Sequence, residues 1–417
     1  MADQKITALT ANTAPAVTDI MPHVDDPGGT PVTKKMTFSD FLKVVNGLTE
    51  DTAPDSTADF VLTYDTSAGA AKKVKPSYLS AGVGKNILPN GGMQVAQRGA
   101  GPFTSASLFP NNDDVYLLDG CVILSDGNDI VDVSQVADTD FESGYKIRLD
   151  VETANKRFGI LLPVENKDIQ NIRHSQVASL QFKVKCTGTS MSNVRASLLS
   201  WSSTADTITS DVISAWGAAG ANPTLAANWT AENTASNLSI STTIATKTIE
   251  NITVDTASLT NLAVLIIVDD TDATVGDYLE IGDVKLEDGG SATNFVADDY
   301  GTALAKCRRT FEAITHASGQ SSMAGLADST SVGLCFYPYK AQKRIAVHTF
   351  TYSALSDFTL RYTGSGVTVV TAFSFGSNGI EGATHSVTGT GTPLTAGQAV
   401  QLRAANANAV LYYSAEL

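Results

Sequence analysis

All three tryptophans of the chain, Trp201, Trp216 and Trp229, fall between residues 201 and 229, in a stretch rich in Thr, Ser, Ala and Asn. Aromatic faces set among short polar side chains can grip a sugar, the ring stacking on its C–H face while amides and hydroxyls bond its hydroxyls. Trp201 ends a strand-like run, VRASLLSW, and reads as structural. Trp216 and Trp229 flank the loop GAAGANP and are candidate stacking residues, with core packing the alternative. A second aromatic group is CFYPYK, which sets Tyr337 and Tyr339 on one face of a Pro-interrupted strand beside Lys340, with Tyr352, Arg361 and Tyr362 following. A core or subunit interface is the alternative there.

The sequence carries almost no catalytic motif. No stretch matches a phosphate-cradling glycine loop, a nucleophile elbow, a zinc-protease helix or a redox cysteine pair. Cys121, Cys186, Cys307 and Cys335 lie far apart and read as buried free thiols, and the five histidines are equally scattered. The cluster Asp269, Asp270 and Asp272 could hold a cation, but an Asp-rich turn after a buried strand reads as a solvated loop. The segment SDGND at residues 125–129 lacks the downstream bidentate Glu of a calcium loop and reads as a hairpin turn. Glycoside hydrolysis needs two converging carboxylates, which spacing does not show. No catalytic residue, cofactor or metal is assigned.

The elements that must position these residues are mostly strands. Tyr145, Ile147, Leu149 and Val151 alternate with Lys146, Arg148 and Asp150, and Leu180, Phe182 and Val184 alternate with Gln181, Lys183 and Lys185. Further strands are expected at residues 116–124, 130–136, 249–254, 262–268 and 278–286, which together read as a β-sandwich over residues 86–298. Within YLEIGDVKLE the apolar phase slips by one residue, placing a bulge at Gly282 and Asp283. Over residues 299–314, Tyr300, Leu304, Cys307, Phe311 and Ile314 recur at spacings of four, three, four and three, a two-heptad seam fit for a trimer or for an amphipathic helix lying on its own domain. Residues 315–417 return to short strands, read as a second β-sandwich. The fold class is therefore all-β, with one short helix.

The first eighty residues hold an internal repeat. LTANTAPAVTDIMPHVDDPGGTPVTKKMTFSDFL from Leu9 is echoed by LTEDTAPDSTADFVLTYDTSAGAAKKVKPSYL from Leu48. Each copy is expected to give one strand, a Gly-bearing turn and a second strand after the lysines, a unit too small to bury a core alone. A linker at residues 81–85 follows.

Of 417 residues, 43% are hydrophobic and only 17% charged, with 28 basic and 43 acidic side chains and a net charge of −15. Such a chain folds, repels phosphates at long range and is a poor general binder of nucleic acid or anionic membranes. Its N-terminus lacks a signal-peptide core, and its longest apolar run is too short to span a membrane, so a soluble protein is expected. The charge is uneven: residues 1–302 carry −18 and residues 303–417 carry +3. An anionic cell-surface glycan could therefore meet the last domain through Lys340, Lys343, Arg344, Arg361 or Arg403.

Four stretches carry a family resemblance. The repeat with VDDPGGTPVTKKMT and VLTYDTSAGAAKKV resembles the N-terminal arms by which tailed-bacteriophage fibres attach to the virion. NILPNGGMQVAQRG followed by YLLDGCVILSDG resembles the start of the fibre jelly-roll module, itself similar to carbohydrate-binding modules. GDYLEIGDVKLEDGGSATNFVADDYGTALAKCRRTFEAI resembles that module's end and the helix after it, and GQAVQLRAANANAVLYYSAEL the end of fibre tip domains.

The resemblance implies a homotrimeric tail fibre of the virion, made in the bacterial cytoplasm. Residues 1–80 would dock on a tail or baseplate protein, the jelly roll would be a spacer with glycan affinity, and residues 315–417 would meet a host cell-surface polysaccharide without cleaving it. The alternatives are a tailspike enzyme that degrades polysaccharide and a fibre or decoration protein that binds no receptor. Carbohydrate-binding jelly rolls often hold calcium with an acidic residue after the N-G-G turn and an Asp before the last strand. Here Gln94 stands at the first position and Asp283 at the second, so the pattern is half met.

Overall fold

The computed structural model describes residues 84–417 apart from 188–189, 270–271, 363–365 and 392, together with the backbone of four short strands nearer the N-terminus. It divides into two units, residues 1–82 and 83–417. In the first, Ile20–Asp25 pairs antiparallel with Val32–Thr37 and Val61–Asp65 with Ala70–Val74. The repeat therefore encodes two hairpins, but the lysine pairs lie within each second strand rather than before it.

In the second unit, alternation builds a five-stranded antiparallel sheet in the order Ala245–Thr253, Val177–Cys186, Tyr278–Asp288, Tyr145–Val151, Val131–Ala137. Ile147, Leu149, Leu180, Phe182 and Ile281 point inward from it. The facing seven-stranded sheet reads as unbroken apolar runs, because both of its faces are covered. Along Asn261–Val268, Leu262, Val264, Ile266 and Val268 enter the core between the sheets. Ala263, Leu265 and Ile267 enter a second cluster on the outer side, beneath an excursion that carries Ile208, Val212 and Trp229.

The expected bulge is present: Asp283 and Val284 together stand opposite Phe182, and Asp283 has a φ of 49°. Gly282 beside it is required, since a Cβ there would come within 2.6 Å of the Phe141 ring. The SDGND segment is not a hairpin turn. It is the corner between Cys121–Ser125 in one sheet and Val131–Ala137 in the other.

The helix is half the length the heptad spacing predicts. Asp299 caps it by accepting from the Thr302 N–H at 3.0 Å, it runs over Tyr300–Cys307, and Phe311–Thr315 is already a strand. Residues three apart lie on opposite faces of a strand. Phe311 accordingly packs against Phe109 and Tyr412, and Ile314 enters the core of the last domain. Cys307 meets Val95 with Leu304 alongside, whereas Tyr300 is exposed. The five residues do not form one seam.

The last domain is a closed barrel, not a sandwich. Ser321–Ala327, Val332–Pro338, Gly382–Thr390, Val367–Asn378, Phe358–Tyr362 and Ala399–Ala404 close on themselves in that order, which removes every free sheet edge. Met323, Cys335, Leu360, Val387 and Leu402 fill it. A three-stranded sheet, Phe311–Thr315, Val410–Ser414 and Thr349–Tyr352, turns Leu411, Tyr413 and Phe350 onto this core. No helix among the described residues is long and apolar enough to cross a membrane.

Candidate functional site

The tryptophans do not form an open platform. Trp229 is only 5% exposed and lies tilted against Trp201 at 5.1 Å between ring centroids. Trp216 is half-buried on the same outer cluster, and its carbonyl accepts from Arg157. Asp269 overturns the solvated-loop reading. It is buried, receives Arg195 at 2.5 Å and Arg157 at 3.6 Å, and accepts the Gly220 N–H at 3.2 Å. Two arginines and one carboxylate thus pin the GAAGANP loop from beneath, while Asp272 is exposed.

The tyrosine pair on the last domain points inward. Tyr337 is buried, stacks on Tyr413 at 5.4 Å, and donates its hydroxyl to Glu312 at 2.9 Å. Tyr339 is half-buried beside it. Of the expected cations, Lys340 is exposed and Arg361 half-buried. The others are committed within the protein: Lys343 to Glu312, Arg344 to the carbonyls of Asp206, Ala415 and Glu416, and Arg403 to the Gly319 carbonyl.

Asp283, which the resemblance would assign to calcium, accepts the N–H groups of Glu142 at 2.7 Å and Ser143 at 3.2 Å, and lies 3.1 Å from the Lys183 ammonium. Gln94 instead donates to the Asp298 carbonyl at 3.0 Å. A lysine therefore supplies the positive charge that this carboxylate faces. No group of three or more His, Cys, Asp or Glu side chains able to hold a metal ion occurs among the described residues.

The arrangement best suited to a ligand is one that sequence reasoning missed. A cleft of about 290 Å³ opens between the jelly roll and the last domain. The jelly roll contributes Arg98, Leu108, Phe109 and Tyr116, and the three-stranded sheet contributes Phe311, Thr349, Thr351, Tyr412 and Ser414. Register explains the second group: Thr351 stands opposite Tyr412 and Thr349 opposite Ser414, and Ser414 also stands opposite Phe311. These side chains share the sheet face turned away from the barrel core.

Phe109 meets Tyr412 edge-on at 4.9 Å, and Tyr412 stacks on Phe311 at 6.1 Å. The Arg98 guanidinium lies 3.5 Å from the Phe311 ring centroid and is ion-paired with Glu416. Both charged side chains are nearly fully buried, yet Arg98 Nε, Arg98 Nη1 and Glu416 Oε1 have no hydrogen-bond partner in the protein. Burial pushes the Glu416 carboxyl up, against the pull of Arg98, and burial also raises the Tyr412 phenol. Chemically this is an aromatic wall with hydroxyls on its rim, backed by a buried ion pair. Residues 98 and 109 meet 412 and 416 only through tertiary folding, so no local motif marked them.

No protein-family model and no curated protein matches the sequence. Among solved structures, the chain is similar to the enzymatically active domain of bacteriophage CBA120 tailspike protein 4, at 12% identity and a TM-score of 0.27 over 45% of this chain and 21% of that one. It thus spans about a fifth of the tailspike chain. It is also similar to TmCBM61 in complex with β-1,4-galactotriose, at 15% identity and a TM-score of 0.27 over 48% of this chain and 97% of that one. A third similarity is to the tandem CBM22-1–CBM22-2 domains of Paenibacillus barcinonensis Xyn10C, at 9% identity and a TM-score of 0.23 over 71% and 93%.

Proposed function

We propose that this chain is a virion protein of a tailed bacteriophage, a homotrimeric tail fibre that docks on the tail through residues 1–80 and holds a host cell-surface glycan without cleaving it. The fibre part of this reading rests on the sequence resemblance of the arm, the jelly roll and the closing segment. The glycan part is carried by the cleft, where the hydroxyls of Thr349 and Thr351 stand beside the rings of Phe109 and Tyr412. A sugar ring presents apolar C–H faces and hydroxyls that both donate and accept, the complement of that set.

A single open cleft binds a sugar weakly on its own. Several copies on one particle raise the effective concentration enough for firm attachment. Among the described residues Glu416 is the one carboxylate lining the cleft, and it is held by Arg98, whereas the hydrolytic route takes two. Binding is therefore favoured over cleavage. The test is binding of the full chain to host polysaccharide fractions, with released sugar assayed in the same samples. Saturable binding without release is expected. Sugar release would make the protein an enzyme, and failure to bind any host fraction would remove the adhesin reading.

A further inference from the structure

Full charge is withdrawn from the cleft. Among the described residues its charged side chains are Arg98 and Glu416, which pair with each other and are only 4% and 6% exposed. The Phe311 ring covers the guanidinium at 3.5 Å, and Glu416 also accepts from the Ser414 hydroxyl at 3.0 Å. The Tyr116 hydroxyl is committed to the Leu417 carbonyl at 3.2 Å. A ligand therefore meets the hydroxyls of Thr349, Thr351 and Tyr412, the first of them lying 3.0 Å from His348 Nδ1. The rest of the lining is apolar. Phe109 and Val115 pack on the jelly-roll core, whereas Leu108 beside them is left 51% exposed.

We propose that the sugar this cleft selects is neutral and bears a methyl group where an ordinary hexose bears a free hydroxyl: a 6-deoxyhexose or an acetylated sugar. The inference rests on the glycan reading above and names the ligand class of the same cleft. An ordinary hexose carries a hydroxyl on almost every carbon, and each one pressed against an apolar wall without a partner costs free energy. The three wall hydroxyls serve only part of that set. Replacing the C6 hydroxyl by hydrogen, or closing a hydroxyl as an acetyl ester, removes a donor that has no acceptor to meet. It also supplies a methyl that Leu108 can cover, which is favourable in proportion to the apolar area buried. An acidic sugar gains nothing in exchange for its lost hydration, because the arginine is already neutralised by Glu416.

The test is surface plasmon resonance of the full chain over immobilised glycosides of the galacto and manno series, each in four forms: the parent hexose, its 6-deoxy analogue, its 6-O-acetyl ester and its uronic acid. The 6-deoxy form or the ester should bind at least about fourfold tighter than the parent, the share of one buried methyl. Which of the two does so tells the sources apart. The preference should survive high salt, and Leu108→Ser, checked for folding by circular dichroism, should reduce it to within about twofold. A parent as tight as both methyl-bearing forms, or a uronate that binds tightest and salt-sensitively, would overturn the inference. So would a preference untouched in the folded Leu108→Ser variant. Host polysaccharide on a further channel keeps the two readings distinct. If it is held while no glycoside binds, this inference fails alone; if neither is held, the glycan reading fails with it.

Discussion

The Lys343 ammonium lies 2.7 Å from the Glu312 carboxylate, and both side chains are fully buried. Glu312 also accepts from the Tyr337 hydroxyl at 2.9 Å and from the Lys340 N–H at 3.2 Å, so the pair ties the first strand of the small sheet to the barrel. Burial pulls the Lys343 pKa down while Glu312 opposes it. Removing one partner leaves an uncompensated buried charge, so Lys343→Met should cost about 3–5 kcal/mol. Lys343→Met/Glu312→Leu should recover much of that loss in denaturant unfolding. A double variant as unstable as the single one would contradict the account.

In the cleft, Phe109→Ala and Tyr412→Ala should each weaken glycan binding about tenfold, the scale of one aromatic contact. Because both rings would hold one sugar, the double variant should lose less than the product of the two. Calorimetric titration of folded variants reads this directly. Purely multiplicative losses would mean that the rings act separately.

At the corner between the sheets, burial raises Asp114 to about 7, with the Asp113 and Asp211 carboxylates adding to it. Burial and the carboxylates of Glu152, Asp129 and Asp150 raise Asp132 to about 6. Unfolded Asp titrates near 3.9, so the stabilisation from these extra protons is complete below about pH 4 and lost as pH rises through about 6 to 7. Asp114→Asn should therefore stabilise the protein more at pH 8 than at pH 4. An equal gain at both would show that Asp114 keeps its ordinary pKa.

His385 acts in the opposite sense. It is buried in the barrel with Nε2 3.0 Å from the Tyr413 hydroxyl, and burial lowers its pKa to about 4. Unfolded histidine titrates near 6.5, so its contribution is present above that pH and lost as pH falls through about 4. His385→Gln should flatten the acid limb of a melting-temperature profile.

Asp269→Asn should loosen the GAAGANP loop, since one charge holds Arg157, Arg195 and the Gly220 N–H. An elastase-type protease that cleaves after small residues should cut between residues 217 and 222 several times faster than in the wild type. Unchanged cleavage would place the loop's rigidity elsewhere.

Periodicity carried most of the jelly roll. The run Tyr145–Val151 and the slip at Asp283 are both visible as alternation, because one side of that sheet faces the core and the other is polar. The same logic misled at residues 299–314, where apolar residues spaced by three and four serve a helix and then both faces of a strand. Barrel closure was not legible, because it depends on which strands meet last. Asp269 looked solvated because the arginines that bury it are 74 and 112 residues away in sequence. The cleft escaped for the same reason, as Phe109 and Tyr412 are ordinary loop and strand residues until the two domains meet.

The small sheet has a mechanical consequence. Its central strand, Val410–Ser414, is bonded to Phe311–Thr315 on one side and Thr349–Tyr352 on the other, and Phe311–Thr315 follows directly on the helix seated against Val95. Tension along these strands loads both ladders in shear, so many bonds must yield together, whereas a sideways tug opens them one at a time. The joint resists being drawn out lengthwise far better than being peeled.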